Sequence, residues 1–160
     1  MLTDEPPDFP KQTPKPSARI KRSRKEATMA TTGRTTFTTK SWDEKPYAEV
    51  DGERKLTRTH AVFAYEGDIE GEGTVEYLMA YGLNGIGNFV GLERVVGRVG
   101  GRSGSFVVQH TGTFEPKSVT THWHIVPGSG TGELEGISGG GEFVLAGHGP
   151  YPITFDYDFK

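Results

Sequence analysis

All 23 glycines of this 160-residue chain fall at or after Gly33, so roughly one residue in five or six beyond that point is glycine, against about 7% in ordinary proteins. Glycine costs a helix interior about 1 kcal/mol relative to alanine, and few fifteen-residue windows of this stretch lack one, which removes helix as the organising element. An all-β domain remains. No run approaches the ~18 apolar residues of a membrane helix, and the N-terminus lacks the apolar core of a secretory signal. A cytoplasmic protein with no membrane partner is expected. The absence of cysteine excludes thiol catalysis, disulfides, thiolate zinc sites and iron–sulfur clusters, and no cofactor is expected.

Residues 1–29 differ in kind. They hold five of the ten prolines, seven Lys or Arg and four Asp or Glu, and too little apolar surface to offset the entropy of ordering. A disordered basic tail is expected over 1–29, ahead of a single β-domain over 30–160. Its cluster Arg19 to Lys25 is read as a solvated arm, with an adaptor role as the weakest alternative; translation starting at Met29 is a third reading. Without the tail's charge of +3 the remainder carries −6, given −3 overall. That acidity argues against a nucleic-acid partner.

Alternating or β-branched runs predict strands over 34–42, 55–66, 69–81, 88–99, 104–115, 118–127, 132–145 and 151–159, with one long connection over 43–54. Eight strands with short connections predict an antiparallel meander, closed as a barrel or folded as a sandwich. Hairpin turns then decide which side chains share a face. A two-residue loop at Gly101-Arg102 sets Glu93 opposite His110, and Pro116-Lys117 sets His110 opposite Trp123. A three-residue loop at Leu83-Asn84-Gly85 sets Tyr77 opposite Gly91 and Val75 opposite Glu93. A two-residue loop at Gly67-Asp68 sets His60 opposite Val75 and Arg58 opposite Tyr77.

These turns place Arg58, His60, Tyr77, Glu93, His110 and Trp123 on one inner surface among Val62, Val75, Met79, Val95, Phe106, Val108, Phe114 and Ile125. Buried charge costs several kcal/mol per ion unless paired. The polar groups therefore either neutralise one another or line a wet cavity, and an eight-stranded barrel is about wide enough to hold one small molecule. The same registers send Phe63 and Tyr65 outward, where exposed aromatics mark a subunit contact. A homo-oligomer is expected.

Several strings are more specific than composition: SWDEKPY (Ser41 to Tyr47), KLTR (Lys55 to Arg58), GDIEGEGTVEYLMAY (Gly67 to Tyr81), FVGLERVVGRVGGRSGSFVVQHTGTF (Phe89 to Phe114), VPGSGTGELEG (Val126 to Gly136) and FDYDF (Phe155 to Phe159). From about Met29 onward the chain resembles the bacterial DUF3224 family. The resemblance implies a closed eight-stranded antiparallel barrel similar to those of allene oxide cyclase and dirigent proteins, in which Gly128 to Phe143 matches a glycine-rich signature. It implies no activity. His122 and His124 depart from the family pattern.

Glu93 with His110 is the candidate catalytic dyad, because a carboxylate beside an imidazole sets its tautomer and suits it to general-base work. Arg58 or His60 would then stabilise negative charge on a ligand oxygen, and Tyr77 and Trp123 would complete a ligand-binding wall. The competing reading is a self-satisfied polar cluster that holds strand register. His122 and His124 share an outer face with no third ligand in view, so no metal is expected. Gly128 to Gly132 lacks the lysine and helix of a phosphate loop. A barrel that binds a small apolar or amphipathic molecule, either as an isomerase or cyclase or as a non-catalytic or stress-associated binder, is the functional expectation.

Overall fold

The computed structural model describes residues 30–160. The readings of the tail over 1–29 and of a start at Met29 lie outside the described residues. Nine strands follow in order: β1 (Thr31–Glu49), β2 (Lys55–Gly67), β3 (Ile69–Tyr81), β4 (Gly87–Val99), β5 (Arg102–Glu115), β6 (Ser118–Ile125), β7 (Thr131–Gly132), β8 (Ile137–Ala146) and β9 (Tyr151–Phe159). Eight of them close antiparallel, β1-β2-β3-β4-β5-β6-β8-β9 and back to β1, while β7 adds a short pairing to β5. The expected closed eight-stranded barrel is the fold. Among the described residues no helix is long and apolar enough to cross a membrane.

Two element boundaries move. The expected long connection over 43–54 is mostly strand: β1 runs on to Glu49 beside β2, with register irregularities near Lys40 and Tyr47 that bend it around the wall. The expected strand over 132–145 is two pieces. Thr131–Gly132 pairs with β5, and the next turn carries Leu134, fully buried, before β8 begins. Leu134, Ile137, Phe155 and Val99 belong to the apolar core and line no part of the barrel's cavity, and Leu134 lies beside Gly104, near the β4–β5 turn.

Three of the four anticipated turns give the anticipated faces. Pro116-Lys117 pairs Phe114 with Val119 and His110 with Trp123. The three-residue connection at Leu83–Gly85 pairs Met79 with Phe89, Tyr77 with Gly91 and Val75 with Glu93. Between β4 and β5 the loop is Gly100-Gly101, both at positive φ (55° and 83°), the conformation of a primed two-residue turn. It sits one residue earlier than expected, so His110 faces Gly91 and Glu93 faces Val108. The slip changes the partners by two positions and leaves each side chain on its expected face.

The β2–β3 turn overturns the expectation. Tyr65 pairs with Gly71, Thr59 with Tyr77, Ala61 with Val75 and His60 with Glu76, an offset of one residue that reverses β2. The connection is Asp68 alone, and neighbouring segments hold it. Its N–H donates to Arg34 O at 2.9 Å, its carboxylate accepts from Arg34 N–H at 2.7 Å, and its carbonyl accepts from Gly100 N–H at 3.0 Å. Thr57, Thr59, Ala61, Phe63 and Tyr65 therefore face inward and are buried, whereas Arg58, His60 and Val62 face outward. Phe63 and Tyr65 form part of the core and are no subunit contact.

Candidate functional site

The barrel encloses a cavity of about 670 Å³. Its walls are mainly aromatic and aliphatic, including Phe37, Phe63, Tyr77, Phe89, Phe106 and Trp123, and it extends from buried Ile69 and Val95 to exposed Pro116, Lys117, Gly147 and His148. The opening thus lies among the β5–β6 turn and the β8–β9 connection, at the other end of β5 from Leu134.

The polar part of the wall is built around Glu93, which is 1% exposed. Its Oε1 lies 2.7 Å from His110 Nε2, and its Oε2 accepts the Tyr65 hydroxyl at 2.5 Å. Glu93 faces Val108 across the ladder, and His110 sits two residues further along β5, so the pair meets diagonally, within reach of long side chains on one sheet face. Burial, then the charge and the hydrogen bond of Glu93, push the Tyr65 phenol well above its ordinary value of 10.0. Tyr65 therefore serves as a donor. A carboxylate taken out of water needs such donors on both oxygens.

Two glycines make the room. A Cβ on Gly73 would overlap Glu93 Oε2. At Gly91 a Cβ would lie 2.5 Å from the Tyr77 ring, which crosses the bare backbone and meets the His110 ring edge-on at 5.8 Å. Burial first, and the nearby Glu93 charge second, raise the Tyr77 phenol as well.

Of the six residues singled out from the sequence, Tyr77, Glu93, His110 and Trp123 line the cavity. Arg58 and His60 do not: they stand on the outer face, where Arg58 Nε donates to Glu76 Oε2 at 3.2 Å and His60 Nδ1 lies 2.7 Å from Glu76 Oε1. The one-residue offset of β2 removes both from any role inside. Tyr65 takes the place they were expected to fill. The signal for it was available, since Thr57, Thr59, Ala61, Phe63 and Tyr65 are the less polar parity of β2.

Near the rim, a second carboxylate went unanticipated. Glu44 accepts from the Tyr81 hydroxyl, from Thr57 Oγ1 at 2.8 Å and from Trp42 Nε1 at 3.1 Å. Partial burial acts to raise its carboxyl, but these three donors, with Lys55 nearby, outweigh it and leave the group below its ordinary 4.5. Trp42 lines the cavity and packs on Tyr77 with ring centres 6.0 Å apart. On the outer face His122 lies 3.5 Å from Glu142. Among the described residues no three His, Asp or Glu side chains gather as a metal-holding group.

The sequence model of the family of proteins of unknown function DUF3224 matches residues 33–157. A crystal structure of a DUF3224 protein of unknown function from Shewanella oneidensis MR-1 superposes with a TM-score of 0.68 at 30% identity, covering 82% of this chain and 98% of that one. No curated protein matches the chain.

Proposed function

We propose that this chain, which belongs to the DUF3224 family, takes a small apolar or amphipathic molecule into its barrel with its polar end against Glu93 and His110. The cavity carries this reading. Protein interiors are normally packed to crystal density, whereas this one keeps about 670 Å³ unfilled, within the ~300–1,000 Å³ of small-molecule sites. Its lining also has the composition of such sites, mostly apolar with few polar groups in one place.

In the catalytic form of this reading, similar to an allene-oxide-cyclase-type isomerisation or cyclisation, His110 accepts a proton and Glu93 holds the imidazole in its tautomer. The non-catalytic form is favoured by one observation: both oxygens of Glu93 already have donors within the protein, as a register-holding network would require. Native mass spectrometry of protein taken directly from its own cells tests the common premise. A retained molecule released on denaturation is the expected result. An apo mass, with a melting temperature unmoved by apolar probes, overturns it. His110→Ala and Glu93→Gln then separate the two forms: both variants lower the melting temperature and weaken binding of the polar end in either form, and only the catalytic form also loses conversion of the retained molecule.

The expected homo-oligomer needs a different surface. On the outer wall Leu78 faces Val90 across β3 and β4, beside Leu92 and Val96, and all four are about half exposed. Arg58 and Glu76 border this patch, so a second copy turned about a two-fold axis offers apolar surface to apolar surface and each charge an opposite partner. We assign self-association to this wall.

A further inference from the structure

Two buried side-chain polar atoms among the described residues have no hydrogen-bond partner, His110 Nδ1 and Trp123 Nε1. Their residues face each other on β5 and β6 and both line the cavity. Buried polar groups are nearly always paired; neither atom is open to the cavity as it stands, so a partner from inside it reaches them only as the two side chains turn towards a bound molecule.

The two atoms ask for different things. An indole N–H only donates. The role of His110 Nδ1 follows from Glu93, whose Oε2 takes the Tyr65 O–H and whose Oε1 lies on His110 Nε2. In the neutral imidazole, a carboxylate with both oxygens accepting places the single ring proton on Nε2, and Nδ1 is left with a bare lone pair. Charge narrows the class further. Tyrosine phenols aside, Glu93 and His110 are the only acidic or basic groups among the described residues of the buried wall, because Glu115, Lys117 and His148 sit at the exposed rim. A negatively charged ligand head would meet the Glu93 carboxylate with no cation to offset it.

We propose that the ligand is an uncharged, mainly apolar molecule whose hydroxyl donates to His110 Nδ1 and which offers an oxygen to the Trp123 N–H. The inference rests on the cavity-binding reading and adds the chemistry of the head group. An alcohol, a phenol or an enol meets both demands; a hydrocarbon meets neither, an ether only the second, and a carboxylate carries the wrong charge.

Four probes of one shape separate these cases: 2-naphthol, 2-methoxynaphthalene, naphthalene and 2-naphthoate, titrated calorimetrically into the full chain. A site with buried polar groups rejects analogues that leave them unpaired, so 2-naphthol should bind at least tenfold tighter than naphthalene, with 2-methoxynaphthalene between them. Trp123→Phe keeps a ring in place and should erase the advantage of 2-methoxynaphthalene over naphthalene. In ¹⁵N-histidine NMR of the unmodified protein, His110 should carry its proton on Nε2, and Nδ1 should shift with 2-naphthol and stay unmoved with 2-methoxynaphthalene. Equal affinity for all four probes, or preference for 2-naphthoate, overturns the hydroxyl assignment and leaves the cavity reading standing. Failure of every probe to bind overturns both.

Discussion

The carboxylate of Glu93 fills the space that a β-carbon on Gly73 would occupy. The two residues lie on neighbouring strands, β3 and β4, with Gly73 facing Val95 and Glu93 facing Val75. A bare backbone at Gly73 is thus a condition for burying an acid here, and Tyr65, which passes over the same glycine, supplies the second donor.

Gly73→Ala should push the carboxylate out of place and separate it from Tyr65. Overpacking of this kind costs about 1–3 kcal/mol. Urea unfolding measures it, with Gly52→Ala as a control because nothing lies within 4 Å of a Cβ there. Equal stability of the two variants would mean that Glu93 has another place to go.

Tyr65→Phe keeps the ring and deletes one donor, leaving Glu93 Oε2 buried without a partner, at a cost of about 1–3 kcal/mol. His110→Ala breaks the buried pair outright and should cost about 3–5 kcal/mol. Arg58→Ala and His60→Ala remove only exposed contacts to Glu76 and should change stability by less than about 1 kcal/mol. Thermal melts should rank His110→Ala lowest, Tyr65→Phe next and Arg58→Ala and His60→Ala close to the parent, and a large loss at Arg58 or His60 would contradict the outward face of β2.

Glu44 titrates below its ordinary 4.5 because Tyr81, Thr57 and Trp42 donate to it. A carboxyl depressed on folding contributes stability that is present above the unfolded value and is lost as pH falls through the folded one. The Glu44 contribution should therefore be intact above about pH 5 and disappear as the solution is acidified past 4.5. Carboxyl-detected NMR should show its midpoint below 4.5 in the parent and moved upward in Tyr81→Phe. An unchanged midpoint would assign the depression to the other donors.

Self-association through the outer wall predicts that Leu92→Lys gives a monomer while retaining the fold. Light scattering across a range of concentrations reads both species. A parent that is already monomeric at high concentration removes the assignment of Leu78, Val90, Leu92 and Val96 to a subunit contact.

Much of the site was legible before any coordinates, and for a local reason. Pro116-Lys117 and Leu83–Gly85 carry their own turn chemistry, so the faces of β3, β4, β5 and β6 follow from a few residues each, and with them the inward direction of Tyr77, Glu93, His110 and Trp123. The Gly100-Gly101 turn shows how forgiving this is. A loop misplaced by one residue slides the ladder by two and preserves every face, and side chains as long as Glu93 and His110 still meet on the diagonal.

Asp68 is where local reasoning ends. Glycine before an aspartate between two strands reads as an ordinary hairpin, yet the bonds that set its geometry come from Arg34 on β1 and from Gly100 beyond β4. The alternation along 57–65 argued for the opposite face, because burying Phe63 and Tyr65 is worth more than burying Arg58 and His60. The glycine-dense, cysteine-free sequence by itself determined a β-meander and the faces of the strands whose turns are chemically complete, since those depend on backbone preferences within a few residues. Only the tertiary structure decided the face of β2, the partnership of Tyr65 with Glu93 and the empty space beside them. Each of these depends on strands meeting across a closed wall, and no short stretch of chain contains that information.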